Sequence, residues 1–144
     1  MLSVHFPKPD FKIRTSEGKE QIFDPIRKRW VRLTNEEWVR QNFIQYLIKE
    51  KNYPAALISV EKEIVLGELK KRYDIAVYNC AKPWLLAECK EPDVPLSEKT
   101  LHQTLRYNAN VQAAYLVITN GKQTFAWAIA GGNFIAIDEL PLWK

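Results

Sequence analysis

Tyr73-Asp74-Ile75-Ala76-Val77-Tyr78, a break from Asn79 to Pro83, and then Trp84-Leu85-Leu86-Ala87-Glu88-Cys89-Lys90 is the stretch on which the fold turns. Both runs are rich in apolar, β-favouring side chains, and the residues between them close the first run, so they read as two strands of a hairpin. Just upstream, Leu57 to Leu66 alternates in part through Ile58, Val60, Ile64 and Leu66, with Gly67-Glu68 as its turn. Three strands joined by short turns predict an antiparallel meander, ended by Pro92 and Pro95.

Downstream, Ser97 to Thr100 opens a second helix, expected over about 98–110 with Leu101 and Leu105 along it. Ala114 to Thr119 is a nearly continuous apolar run, the pattern of a strand covered on both faces. A helix between it and the strand at 84–89 makes a βαβ crossover, so these two strands are expected to be parallel and the crossover right-handed. Asn120-Gly121 then turns into Phe125 to Ile129, and Gly131 to Asn133 into Phe134 to Ile137, a terminal hairpin.

Upstream, Thr34-Asn35-Glu36-Glu37 fits a capping box, with Thr34 accepting from the third helical amide and Glu37 reaching back. Val39, Phe43, Tyr46 and Leu47 recur at helical spacing until Tyr53-Pro54 stops the helix near 51. Residues 11–33 hold a hairpin signal at Ser16 to Lys19 and a break at Asp24-Pro25, so 1–33 is expected to be a β-rich or irregular arm. The expected organisation is one domain, 1–144, with the arm at 1–33 and the core at 34–144. Its class is α/β, a mixed central sheet flanked by helices.

Bulk properties agree. At 144 residues, 47% hydrophobic and 26% charged, the chain is an ordinary globular domain that needs no disulfide or structural metal. Cys80 and Cys89 form no Cys-x-x-Cys pair, which argues against a zinc or thioredoxin-like motif and for reduced thiols in a cytoplasmic protein. No apolar run approaches the ~20 residues of a membrane helix. The net charge of +4 matters only where it clusters. Solvated faces explain Arg27-Lys28-Arg29 with Arg32 about as well as phosphate binding does, whereas Lys70-Lys71-Arg72 leads directly into the run containing Asp74.

Asp74 lies at the start of one apolar strand and Glu88 interrupts the end of the next, where an acid is costly unless paired or bound to metal. Glu88 and Lys90, two apart, project from one face of an extended strand, and the hairpin brings Asp74 close across the ladder. Two carboxylates with a lysine suit a hard divalent ion and a phosphate substrate.

The spacing of Asp74 from Glu88-Cys89-Lys90 resembles the Asp…Glu-x-Lys signature of PD-(D/E)XK nucleases. Gln103-Thr104-Leu105-Arg106-Tyr107 adds the Gln-x-x-x-Tyr pattern that such domains carry on the following helix. Residues 24–120, including the run from Asp24 to Thr34, resemble the N-terminal nuclease domain of type I restriction-enzyme R subunits, in its short bacterial form. The resemblance implies a restriction-endonuclease-like fold and Mg²⁺- or Mn²⁺-dependent hydrolysis of DNA phosphodiesters, in restriction or repair. It implies Asp74, Glu88 and the main-chain carbonyl of Cys89 as metal ligands, and Lys90 as the residue that positions water. Gln103 and Tyr107 would face the site, and Lys70, Lys71 and Arg72 would join them on the DNA backbone. Glu37, with Glu36 second, is a further candidate ligand, in competition with its capping role.

The proline that names the signature is Tyr73 here. With no glycine-rich phosphate loop and no room for a helicase motor, a complete R subunit is not expected. A homodimer, or a motor or specificity subunit as partner, is the expected context. The rival reading is a non-catalytic nucleic-acid-binding or scaffolding domain of the same fold. An unrelated α/β enzyme lacks support, because no cofactor fingerprint or nucleophile elbow is present.

Overall fold

The computed structural model describes residues 1–144, apart from the side chains of Leu66 and Leu69. In chain order the elements are β1 (Ile13–Ser16), β2 (Lys19–Asp24), β3 (Arg29–Arg32), α1 (Asn35–Lys49), β4 (Ile58–Leu66), β5 (Leu69–Asn79), β6 (Lys82–Cys89), α2 (Glu98–Tyr107), β7 (Tyr115–Thr119), β8 (Thr124–Ala130) and β9 (Asn133–Ile137). Strands β4 to β9 form one six-stranded sheet in sequence order, and β1 to β3 form a separate three-stranded sheet. The meander β4-β5-β6 is antiparallel, β6 and β7 are parallel around the α2 crossover, and β8-β9 closes as a hairpin. The sheet is therefore mixed, as the run lengths predict.

Strand β6 explains the layering. Leu85, Ala87 and Cys89 point into a core shared with Val39, Phe43 and Leu47 of α1. Leu86 points the other way, to a second core with Tyr73, Leu116 and Ile118 against which Leu101 and Leu105 of α2 pack. Each large apolar side chain so buried stabilises the fold by about 1.5–3 kcal/mol. The same alternation sends Glu88 to the α2 side and Cys89 to the α1 side.

The turn between β5 and β6 is shorter than the sequence implies. β5 continues to Asn79 and β6 starts at Lys82, leaving Cys80 (φ 53°) and Ala81 (φ 62°) as a two-residue connection. Two positive φ angles give the backbone of the tight hairpin turns that match strand twist, here without the Asn-Gly that normally signals them.

Helix α1 is buried almost all round from Glu37 to Leu47, including Arg40, Gln41 and Gln45. The arm covers it: Phe11 packs edge-on against Trp38 at 5.4 Å, and Gln45 Nε2 donates to the Lys8 carbonyl at 2.8 Å. The C-terminal tail straps the opposite end. There the Trp143 amide donates to the Lys51 carbonyl, and the Trp143 ring meets Trp84 at 5.2 Å. No helix among the described residues is long and apolar enough to cross a membrane.

Candidate functional site

Thr34 caps α1 as expected, its Oγ1 accepting from the Glu37 amide at 3.0 Å. The reciprocal half of the capping box does not form. The Glu37 carboxylate, nearly buried, accepts instead from Arg27 (2.8 Å), Arg40 (2.5 Å) and Gln41 (3.0 Å). Burial in a protein interior favours charge-assisted pairing over a half-exposed cap.

Arg40 links that cluster to the sheet. Its Nη2 donates to Asp74 Oδ1 at 2.7 Å and to Glu36 Oε1 at 3.2 Å. Arg27 is held by Asp24 as well as Glu37, and Glu61, which has φ 55°, lies within 4 Å of both guanidiniums. Five carboxylates (Asp24, Glu36, Glu37, Glu61 and Asp74) thus surround two arginines. Burial opposes the charge on Arg40, but the hydrogen bond to Asp74 and the charges of Glu37 and Asp74 outweigh it and raise its pKa. The Glu36 carboxyl is pushed up by burial and then by the charge of Asp74, against the opposing charges of Arg40 and Lys90.

Asp74 is fixed from two sides, because its Oδ2 also accepts from the Cys89 amide at 2.8 Å. That bond ties the acid on β5 to the end of β6. The Cys89 thiol, fully buried, has its pKa raised by burial and by Asp74.

Glu88 faces the other way. Its Oε1 meets Lys71 Nζ at 3.1 Å, and Lys71 also donates to Asn108 Oδ1 at 3.1 Å while lying over the rings of Tyr107 (4.5 Å) and Tyr73 (5.1 Å). Asn108, wholly buried, takes Tyr73 Oη at 2.5 Å and donates to the Thr104 carbonyl, which ends α2 at Tyr107, short of the expected 110. Lys71, Glu88, Lys90, Thr100, Gln103, Thr104 and Tyr107 line an open groove of about 270 Å³ between the sheet and α2.

The predicted residues therefore fall into two groups. Lys71, Glu88, Lys90, Gln103 and Tyr107 share the groove, with Lys90 and Gln103 exposed and Tyr107 78% exposed. Asp74, Cys89, Glu36 and Glu37 belong to the α1 side. Lys70 and Arg72 are exposed neighbours of Lys71, and alternation along β5 turns them away from its face. Lys71 is held by a carboxylate and an amide inside the groove. Arg27, Arg40, Glu61 and Asn108 were not legible as site residues, since each acquires its role through a partner distant in sequence.

The donors suit a hard divalent ion in kind and charge. Asp74, midway along β5 rather than at the strand start that the sequence suggests, and Glu88, near the end of β6, are about one-fifth exposed carboxylates on neighbouring strands, held toward opposite faces of the sheet by Arg40 and Lys71. Among the described residues no three His, Cys, Asp or Glu side chains gather as a ligand cluster. A magnesium-type site needs only one or two carboxylates, with water and substrate oxygens completing it. Such an ion would share Asp74 with Arg40.

Residues 35–141 match the family model described as type I restriction enzyme R protein N terminus (HSDR_N). No curated protein and no solved structure matches the chain. The matched span takes in α1, the whole six-stranded sheet and both groups of site residues, and so the chain belongs to the type I restriction enzyme R protein N-terminal family.

Proposed function

We propose that this domain is a metal-dependent nuclease of restriction-endonuclease-like fold that hydrolyses DNA phosphodiester bonds. The observation that carries the reading is the groove in which Glu88 and Lys90, from one strand, face Gln103 and Tyr107, from one helix. Family membership supports a nuclease-related role and contact with DNA.

Asp74 and Glu88, with the Cys89 carbonyl, would hold Mg²⁺ or Mn²⁺ once their carboxylates turn from Arg40 and Lys71, which hold them toward opposite faces of the sheet, and Glu36 is better exposed than Glu37 to assist. When bound, the ion supplies a lowered pKa for coordinated water and charge stabilisation at the phosphate. Lys90, exposed just past the end of β6 and bonded through its amide to the Thr119 carbonyl, would orient the attacking water and neutralise charge on the phosphate with its ammonium. Gln103 donates to a phosphate oxygen, and Tyr107 offers its exposed ring and hydroxyl to the backbone. Lys71 keeps the Glu88 carboxylate in the groove. The Arg40 fork and the Cys89 amide hold Asp74 midway along the neighbouring strand β5.

Incubation with supercoiled, linear and single-stranded DNA, with Mg²⁺ or Mn²⁺ and with chelator, tests the reading. Metal-dependent cutting supports it; no cutting on any substrate despite DNA binding favours the second reading, a domain that binds within a larger complex. One observation favours that alternative: Asp74 and Glu88 each already bear a cation, Arg40 and Lys71. Glu88→Ala is expected to weaken Mg²⁺ binding about tenfold or more in calorimetric titration, the usual range for loss of a tuned metal contact. An unchanged affinity removes Glu88 from the ligand set.

A further inference from the structure

The positive excess of this chain is confined to its arm. Residues 1–33 contain eight Lys and Arg against four Asp and Glu, whereas residues 34–144 contain thirteen of each sign, so the arm accounts for the whole net charge of +4. The arm also lies outside the span that matches the R protein family.

The β1-β2-β3 sheet sorts those charges by face. Its register sets Arg14 opposite Gln21 and Gln21 opposite Arg32, with Ser16 opposite Lys19 and Phe23 opposite Trp30. Residues at these positions share one face, since side chains alternate along each strand. The other face carries Ile22 and Asp24, both wholly buried, and Asp24 is tied to Arg27, so that side is the one fastened to the body. Glu20 alternates with Asp24 to the fastened side, and Glu17 sits in the hairpin turn, which leaves the outward face of the three strands without an acid; Asp10, before β1, lies beside Lys12 and Phe23 and 4.0 Å from Lys49.

What remains outward is a basic surface built on aromatic rings. Trp30 and Phe23 meet edge to face at 5.5 Å, the Arg14 guanidinium lies 4.3 Å over the Trp30 ring, and Lys12 Nζ lies 5.9 Å from the Phe23 centroid. Arg14 Nε donates to Gln21 Oε1 at 2.8 Å, which fixes the guanidinium and leaves its remaining donors facing outward. Lys12, Arg14, Lys19 and Arg32 are all exposed, and none is ion-paired among the described residues. A stacked, immobilised arginine gives up little further entropy when it takes a phosphate in its fork.

We propose that the outward face of the β1–β3 sheet is a DNA-backbone-binding surface, separate from the groove at Glu88 and Lys90. Binding there needs neither the metal nor catalysis, so it stands or falls apart from the nuclease reading.

The test is fluorescence anisotropy of labelled duplex and single-stranded DNA over a salt series, in chelator. Wild type is compared with the triple variant Arg14→Ala, Lys19→Ala, Arg32→Ala. A control triple variant, Lys62→Ala, Lys82→Ala, Lys122→Ala, removes the same charge from exposed positions elsewhere. The arm variant is expected to lose affinity tenfold or more. Its salt slope should fall by about 0.9 for each phosphate no longer neutralised on duplex, or about 0.7 on single strand. The control should bind within about twofold of wild type, and both variants should melt as wild type does. Weaker binding of either DNA form by the arm variant supports the surface and identifies the form it takes. Unchanged affinity and slope in the arm variant, or an equal loss in the control, overturns it.

Discussion

Lys90→Ala is expected to lower metal-dependent DNA cleavage by about 10²- to 10³-fold, the contribution typical of one positioned donor that stabilises developing charge. Lys90 is exposed and makes no ion pair among the described residues, so its removal leaves no buried charge unmatched. Its amide bond to the Thr119 carbonyl belongs to the backbone and survives the substitution. Folding should therefore be intact, and DNA affinity should fall by at most what one lysine on one phosphate supplies, a change of about 1 in salt slope. Single-turnover cleavage and anisotropy on the same protein separate these effects. Cleavage persisting at the wild-type rate would remove Lys90 from the mechanism, and a parallel fall in melting temperature would assign the loss to folding.

Arg40→Met should be the most destabilising single change at this site. The arginine side chain is 6% exposed and serves Glu37, Asp74 and Glu36, so its loss leaves the buried Glu37 carboxylate with Arg27 and Gln41 alone and takes the cation from Asp74. Breaking a buried pair by removing one partner costs about 3–5 kcal/mol, a large share of the roughly 5–15 kcal/mol that a domain possesses. Asp74 keeps the Cys89 amide and partial solvent contact, which sets the expectation at the lower end of that range. Arg40→Lys retains one charge without the fork and should recover only part. Urea denaturation measures both, and a loss below about 1 kcal/mol for Arg40→Met would mean that Arg27 and water already compensate Glu37. The buried Nε of Arg40 has no partner among the described residues, so the residue's value lies in its two Nη groups.

The strand and helix order was legible because periodicity changes cleanly along the chain. The apolar run 114–119, which needs cover on both faces, identified β7 and hence the parallel pairing with β6. The Cys80-Ala81 turn was not legible, since neither residue type favours positive φ. For the site, the spacing of Asp74, Glu88 and Lys90 drew attention to the right pair of strands, although β5 begins at Leu69 and leaves Asp74 in its middle and not at its start. Nothing in the spacing, however, says that Arg40, thirty-four positions before Asp74, will claim that acid, or that Lys71 will claim Glu88. Glu37 shows the same limit. Its place in a capping box was plain, and only the burial of α1 beneath the arm redirects it to arginine. Pattern reading finds local partners, whereas ion pairs inside a fold are chosen by tertiary geometry.

The two helices that flank the site differ sharply in how they are held. α1 has ten buried residues and is clamped by the arm, whereas Thr104 is the one buried residue of α2. The edge of the groove formed by Gln103 and Tyr107 therefore rides on the less anchored of the two helices. Of the two helices α2 will open first, with amide exchange ahead of that in α1. A nucleic acid entering the groove meets one rigid wall and one wall able to part and re-form around it.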